Sequence, residues 1–246
     1  MIAVRPVEGL PEVEAGDPLG AMIASRVELR ADNVVVVSQK VVSKAEGRVI
    51  DLGSVEPSVR AERLAVELGK NPRLVQLILD ESREVLRAEH GVLIVETRGG
   101  LICANAGIDS SNVPGEGKVA LLPEDSDASA RRLRAEIEEA GGVRPAVAIV
   151  DSFGRPWRLG QTDIAIGCAG LRPLDDWRGD SDREGQRLGA TVIAIADEVA
   201  AAADLARDKA SGTPVVVVSG LGRHVGEEDG PGAASVLRSR DRDLFR

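Results

Sequence analysis

Hydrophobic residues along the chain form short β-branched runs separated by polar segments. Residues 33–42 (NVVVVSQKVV) and 214–219 (PVVVVS) predict buried strands, the first with an extended tail, and residues 146–150 predict another. Residues 91–96 and 101–104 flank a turn with two glycines and predict a β-hairpin. Because strands both pair in hairpins and alternate with helices, the pattern favours a mixed α+β fold.

Apolar residues also recur at the three- to four-residue spacing of amphipathic helices. The predicted helices cover residues 18–29, 59–67, 72–87, 127–139 and 191–206. Asp17 and Asp127 stand where the first and fourth of these helices begin, and we expect both to act as N-caps.

Composition narrows the class of protein. The 246 residues include 31 Lys plus Arg against 40 Asp plus Glu, a formal charge of −9, and aromatic residues make up 2%. This balance argues against a nucleic-acid partner, which favours a basic face and stacking rings. No apolar run approaches the roughly 18 to 20 residues that span a bilayer, and no leader is evident, so we expect a cytoplasmic protein without a membrane partner. Cys103 and Cys168 are too few for a disulfide framework or a zinc site.

The length allows one large domain or two small intertwined ones. No linker or repeat divides the chain, so we treat residues 1–246 as a single domain of mixed sheets and helices. Residues 220–246 are Gly-rich and charged, and they predict a loosely held tail.

The first polar cluster directly follows the valine run and spans residues 38–47 (SQKVVSKAEG). Two lysines and two serines at the end of a strand suit the oxygens of a phosphate. The spacing is not that of a P-loop, and an ordinary solvated loop is the alternative.

The second cluster, residues 105–115 (NAGIDSSNVPG), places Asp109 among glycine and hydroxyl residues, with Asn112 three positions on. Mg²⁺ and Mn²⁺ favour one or two carboxylates whose shell is completed by water and substrate phosphates. An Asx-turn in a surface loop is the alternative for this segment.

The third cluster, residues 151–163 (DSFGRPWRLGQTD), begins at the carboxyl end of a predicted strand, where ligands of sheet proteins often bind. Asp151 and Ser152 offer oxygens to a metal, and Arg155 could clamp a phosphate or a carboxylate. A structural network around a half-buried Trp is the alternative. His90 and His224 have no evident partners in the sequence and are predicted to be surface histidines.

Together the clusters provide carboxylates for a metal, cations for phosphate and no obvious nucleophile. Such a set suits phosphoryl transfer from a nucleotide, in which the protein mainly positions groups and neutralises charge. From the residues alone, we therefore infer a metal-dependent enzyme that uses a nucleotide.

Five segments, in this order, resemble motifs of the coenzyme F-420 γ-glutamyl ligase family. They are VEGLPEVEAGD (7–17), SQKVVSKAEGR (38–48), ANAGIDSSNVPG (104–115), LLPEDSDASA (121–130) and DSFGRPWRLGQTD (151–163). The likeness runs to about residue 219 and is to the stand-alone form of the family, without the nitroreductase-like domain that some members carry.

The resemblance implies a GTP-dependent ligase. It would add L-glutamate to the lactyl phosphodiester deazaflavin precursor of coenzyme F-420, then further γ-linked glutamates, through an acyl phosphate and with release of GDP and phosphate. It also implies Mg²⁺ or Mn²⁺ at two ions per site, with K⁺ as a further candidate. The fold it implies has two intertwined α+β subdomains and forms an intertwined homodimer. A glutamate ligase for another acceptor and a non-catalytic nucleotide-binding relative are the alternatives.

The predicted site residues fall into three groups, and those for metal and GTP are carried over from the family. Asp109 and Asp151 match metal-ligand aspartates, Ser152 stands where a Thr ligand is common, and Arg155 joins the two aspartates as a predicted catalytic residue. The predicted GTP contacts are Leu10, Pro11, Glu12, Val13, Gln39, Lys44 and Asn112. Gln39 replaces a usual Ser or Thr.

A departure from the family lies at residues 206–212, where Lys209 aligns with a metal-ligand position and Asp208 precedes it. Asp208 is therefore an open choice for a third ligand.

The valine strands also give a physical reason to expect a dimer. Both faces of residues 33–37 and 214–218 need covering, and the helix at 127–139 is heavily charged. A partner chain could cover them; the alternative is a monomer in which the helix at 191–206 does so.

Overall fold

A computed structural model describes residues 1–207 and 212–245 of the chain. The strands are β1 (Ala3–Pro6), β2 (Val34–Ser38), β3 (Val49–Asp51), β4 (Ser82–Glu89), β5 (Val92–Thr97), β6 (Ile102–Ala104), β7 (Lys118–Ala120), β8 (Ala146–Arg155), β9 (Arg158–Ala169), β10 (Asp175–Asp176), β11 (Val192–Ile193) and β12 (Val215–Ser219). The α-helices are α1 (Leu19–Ala24), α2 (Gln39–Ala45), α3 (Val59–Leu68), α4 (Pro72–Asp80), α5 (Ser126–Gly141) and α6 (Ile195–Leu205).

The largest sheet has five strands in the order β1, β12, β2, β8, β9. Strands β2 and β8 run parallel, and the other neighbouring pairs are antiparallel. A three-stranded sheet follows the order β4, β5, β6, while β3 pairs with β7 and β10 with β11. The predicted mixed α+β class is confirmed.

Helices cover both faces of the valine strands within one chain. Val35 and Val37 of β2 share a core with Leu133 of α5, and Val34 and Val36 share another with α6. All four valines are fully buried, because the charged helix α5 turns an apolar face to the sheet. The physical reason given above for a dimer is therefore wrong: these strands need no partner chain.

A smaller core lies between helices α3 and α4 and the three-stranded sheet, and it includes Ile78 and Leu93. Helix α4 ends at Asp80, so the predicted helix over residues 72–87 is too long. Residues from Ser82 form β4 instead, paired antiparallel with β5. The apolar spacing fitted a helix locally, but pairing with β5 decides the structure. The predicted hairpin of β5 and β6 is confirmed.

The polypeptide changes from strand to helix at Ser38. Residues 39–42, predicted as an extended tail, form the first turn of α2. The helix at the N-terminal end of the chain is also shorter than predicted and covers Leu19–Ala24, preceded by Pro18. The Asp17 carboxylate accepts a hydrogen bond from the Glu14 backbone N–H instead of capping that helix.

Asp125, rather than the predicted Asp127, caps helix α5, because its Oδ1 accepts the Ala128 backbone N–H at 2.8 Å. Asp127 Oδ1 instead accepts the backbone N–H groups of Cys168, at 2.8 Å, and Ala233, at 2.7 Å. Asp127 thus ties the segment after β12 to the large sheet.

The segment after β12 is held more firmly than its composition predicted. The Arg134 side chain of α5 is fully buried and donates to the carbonyl oxygens of Gly226, at 2.6 Å, and Glu227, at 3.0 Å, and to Asp229 Oδ1 at 2.8 Å. The expectation of a loose tail is therefore wrong for residues 226–234. His224, predicted at the surface, is buried, and burial lowers its pKa. No helix within the described ranges is long and apolar enough to cross a bilayer.

Candidate active site

One cavity of about 1010 Å³ brings the three polar clusters together. Predicted site residues that line it are Leu10, Pro11, Glu12, Val13, Lys44, Asp109, Asn112, Asp151, Ser152 and Arg155. These residues come from four separate segments of the chain, so the fold, rather than local sequence, assembles the site.

The sheet explains why the first and third clusters meet. Strands β2 and β8 are parallel neighbours, and Ser38 pairs with Val150 at their carboxyl ends. Helix α2, with its lysines, therefore starts beside Asp151. Carboxyl ends of parallel strands form a common edge, where ligands of such sheets bind.

The third cluster is a β-hairpin that projects past this edge. Strand β8 continues through Ser152 and returns as β9 after a turn at Pro156 and Trp157. Ser152 lies directly opposite Asp163 in the register of the two strands. Its Oγ donates a hydrogen bond of 2.7 Å to Asp163 Oδ1.

Asp109 belongs to a compact charged group at the cavity wall. Its Oδ2 lies 2.7 Å from Lys40 Nζ, and its carboxylate accepts hydrogen bonds from the backbone N–H and the hydroxyl of Ser111. Burial alone would raise the pKa of Asp109, but the Lys40 ammonium and these donors lower it overall. Asp109 is therefore ionised, and Lys40 is its counter-ion.

The surroundings of Asp151 shift its pKa in the opposite direction from that of Asp109. Burial raises its pKa to about 7, and the nearby carboxylates Asp163 and Asp109 add to this shift, although the Ser152 backbone N–H and Lys40 oppose it. Ionised Asp151 would therefore add negative charge next to the carboxylates of Asp163 and Asp109. A cation or a proton would relieve this charge.

Lys44 faces the cavity from α2 and forms an ion pair with Glu12, whose carboxylate is mostly exposed. The predicted contacts Leu10 to Val13 thus lie beside the predicted phosphate-binding lysine. Gln39 differs from the other predicted site residues, because its side chain is fully buried outside the cavity lining, with Oε1 accepting the Ser43 hydroxyl at 3.0 Å.

Four further charged residues of the described part of the chain line the cavity and are not among the predicted site residues. They are Lys40, Asp163, Asp204 and Arg207. Lys40 and Asp163 stand inside clusters that the sequence singled out, so position within a cluster was the available signal. Arg207 forms an ion pair with Asp163 from 44 positions away, and no local pattern indicates it.

The oxygen-bearing side chains of the cavity decide whether a divalent metal fits there. In residues 1–207 and 212–245, no group of three or more His, Cys, Asp or Glu side chains is arranged to hold a metal. Asp109, Asp151 and the Ser152 hydroxyl nevertheless suit a hard cation that takes its other ligands from phosphate and water. The residues fit a metal of that kind. Asp208, the open choice for a third ligand, lies outside the described residues.

Fold and site together define a class of protein: an α+β protein with a sheet-edge cavity lined by carboxylates and cationic side chains. A model of the family F420-0:gamma-glutamyl ligase matches residues 9–220. The chain belongs to this family.

Relatives match over nearly the whole chain. A protein of Methanopyrus kandleri named coenzyme F420:L-glutamate ligase is 43% identical over 100% of this chain and 98% of its own length. Proteins of the same name from Haloarcula marismortui and Methanothermobacter thermautotrophicus are 45% and 42% identical, over 98% and 100% of this chain and 94% and 99% of theirs.

Proposed function

We propose that this protein is a GTP-dependent coenzyme F-420:L-glutamate ligase. The observation that carries the proposal is the single cavity in which the predicted metal-ligand aspartates lie with the predicted GTP-contact lysine Lys44. Membership of the ligase family and full-length relatives of that name support the same reaction.

The proposed chemistry has two steps. The acceptor carboxylate attacks the γ-phosphorus of GTP, so that a carboxyl oxygen–phosphorus bond forms and the bond to the β-phosphate oxygen breaks, releasing GDP. The glutamate amine then attacks the acyl carbon, forming the amide with loss of a proton and of inorganic phosphate. A nucleophile from the protein is not required in this scheme.

Protein groups in this scheme hold and neutralise the phosphates. Lys44 and Lys40 present ammonium groups at the cavity wall, and Arg155 presents a planar guanidinium that suits two oxygens of a phosphate. Asp109, Asp151 and Ser152 would hold Mg²⁺ or Mn²⁺, two ions per site in this proposal. The bound metal would supply charge neutralisation at the transferring phosphoryl group.

A flat apolar wall of the same cavity suits the ring of the deazaflavin acceptor. Ile94 and Ala104 lie opposite each other in strands β5 and β6, and Ile102 shares their face. Leu93, the neighbour of Ile94 in β5, is buried on the other face, whereas Ile102 is 39% exposed and lines the cavity together with Ile94 and Ala104. Apolar side chains on the open face of a sheet favour a ligand that covers them.

We also propose that the protein forms a homodimer, on grounds other than the valine strands. The tip of the β8–β9 hairpin exposes Trp157 by 82% and Leu159 by 99%, and Trp157 contacts Phe245 with ring centroids 4.9 Å apart. Trp157 also adopts a φ of 58°, a conformation that costs a non-glycine residue about 1–2 kcal/mol. An exposed aromatic ring in such a conformation favours a partner surface.

Mass spectrometry of the product tests the proposed function. Incubation with GTP, Mn²⁺, L-glutamate and the lactyl phosphodiester deazaflavin should yield the acceptor enlarged by glutamate residues, together with GDP. GDP without that product would show GTP hydrolysis uncoupled from ligation and would contradict the proposal. No GDP with this acceptor would favour one of the two alternatives, a glutamate ligase for another acceptor or a non-catalytic relative. Light scattering tests the dimer, since a mass near one 25.8 kDa chain at micromolar concentration would contradict it.

A further inference from the structure

Asp163 is a buried carboxylate at the cavity that neither the family resemblance nor the proposed chemistry uses. Its side chain is only 3% exposed, and each of its two oxygens has a donor. Oδ1 accepts the Ser152 hydroxyl at 2.7 Å, and Oδ2 accepts from the Arg207 guanidinium. A carboxylate that accepts hydrogen bonds on both oxygens can fix the orientation of the side chains that donate to it.

The hydrogen bond to Asp163 fixes how Ser152 presents its oxygen. A serine hydroxyl has one O–H donor and two acceptor lone pairs. Because the single O–H points to Asp163, the lone pairs remain for a ligand in the cavity. This is the orientation that a hydroxyl needs to meet a cation, which an O–H directed into the cavity would repel.

The backbone makes this arrangement rigid. Ser152 and Asp163 are direct cross-strand partners in the β8–β9 pair, so their side chains are neighbours by register. Arg207, two residues after the end of α6, also pairs with Asp163 and compensates its charge. Burial without that ion pair would be costly for an ionised carboxylate.

We propose that Asp163 is a positioning residue that holds Ser152 Oγ as an acceptor for the divalent cation, an inference that rests on the proposed function. Asp163 acts through Ser152, as outer partners of metal ligands commonly do, at a typical cost of 10- to 100-fold in metal affinity when they are replaced. The alternative is that Asp163 merely anchors the hairpin to α6 or adds negative charge near the cation.

Asp163→Asn separates these roles because Arg207 has only donors. The amide oxygen of the new side chain must turn to Arg207, so its NH₂ group faces Ser152. That NH₂ would donate to the Ser152 oxygen, occupy a lone pair and release the O–H toward the cavity. The substitution therefore reverses the hydrogen bond with almost no change of volume.

A double-mutant cycle with Ser152→Ala is the test. The measurement is the affinity for Mn²⁺ alone, followed by electron paramagnetic resonance of the free ion, in the parent, both single variants and the double variant. Asp163→Asn should weaken Mn²⁺ binding about tenfold in the parent and should have no further effect once Ser152 is Ala. Asp229→Asn is the matched control, because it also breaks an ion pair to a buried arginine but lies outside the cavity.

Each outcome is decisive. A tenfold loss that persists in the Ser152→Ala background would overturn the proposal in favour of a charge or anchoring effect, and so would unchanged affinity in Asp163→Asn. If Asp163→Asn does not fold, Asp163→Glu, which keeps the charge but shifts the carboxylate, is measured against Ser152→Ala in the same cycle. Absence of Mn²⁺ binding by the parent would instead count against the metal in the proposed function.

Discussion

Asp151→Asn should make the protein more stable and inactive at the same time. Burial, followed by the charges of Asp163 and Asp109, raises the pKa of Asp151 from 3.8 to about 7. A carboxyl group whose pKa is raised by folding binds its proton more tightly in the folded state. The free energy of unfolding therefore falls as the pH rises from about 4 to about 7, and it stays lowered by the full amount above that range.

The size of this loss of stability follows from the pKa shift of Asp151. A rise of about three pKa units, at about 1.4 kcal/mol each, corresponds to as much as about 4 kcal/mol at pH 8. The amide of Asn is neutral at every pH and removes this cost. For a chain of this length, a gain of that order raises the melting temperature by roughly 10 °C.

The assay is urea denaturation at pH 8 and pH 5 in the presence of EDTA, with GDP release measured in parallel with Mn²⁺. We expect the variant to be more stable than the parent at pH 8, the difference to shrink at pH 5, and turnover to be lost. Asp229→Asn serves as a control of opposite sign, because the pKa of Asp229 is lowered: burial opposes ionisation there, but Arg134 and Arg144 outweigh it. An Asp151→Asn variant that is destabilised at pH 8, or that keeps its activity at saturating Mn²⁺, would refute the reasoning.

Three further outcomes are expected. Lys44→Ala should weaken GTP binding far more than glutamate binding, because its ammonium group acts on a nucleotide phosphate; isothermal titration showing unchanged GTP affinity would contradict this. Arg134→Met should lower the free energy of unfolding by about 3–5 kcal/mol, since it removes the donor to three carbonyl oxygens and leaves Asp229 paired with Arg144 alone; chemical denaturation measures the loss, and a change within about 0.5 kcal/mol would show that the network is dispensable. Ile102→Glu should raise the KM for the deazaflavin acceptor and leave that for GTP unchanged, with Val66→Glu, at a position 85% exposed on α3, as the matched control in the same steady-state assay.

The chemistry of the site was largely readable in the sequence. Strands followed by lysines, hydroxyls and carboxylates point to an anion-binding and metal-binding edge, because parallel strands bring their carboxyl ends together. Asp109, Asp151, Ser152 and Lys44 were predicted from such clusters and from the motifs around them, and all four line one cavity. Short-range patterns carry this information since each cluster is contiguous.

Tertiary structure alone decided which of these groups touch each other. Residues 82–89 became a strand through pairing with β5, although their apolar spacing also fitted a helix. Arg207 reaches Asp163 only because α6 packs beside β9, and Ser152 meets Asp163 only through the register of the hairpin. Contacts between distant residues depend on register and packing, which local propensity does not fix, so the partners of a charged side chain could not be read from its neighbours in sequence.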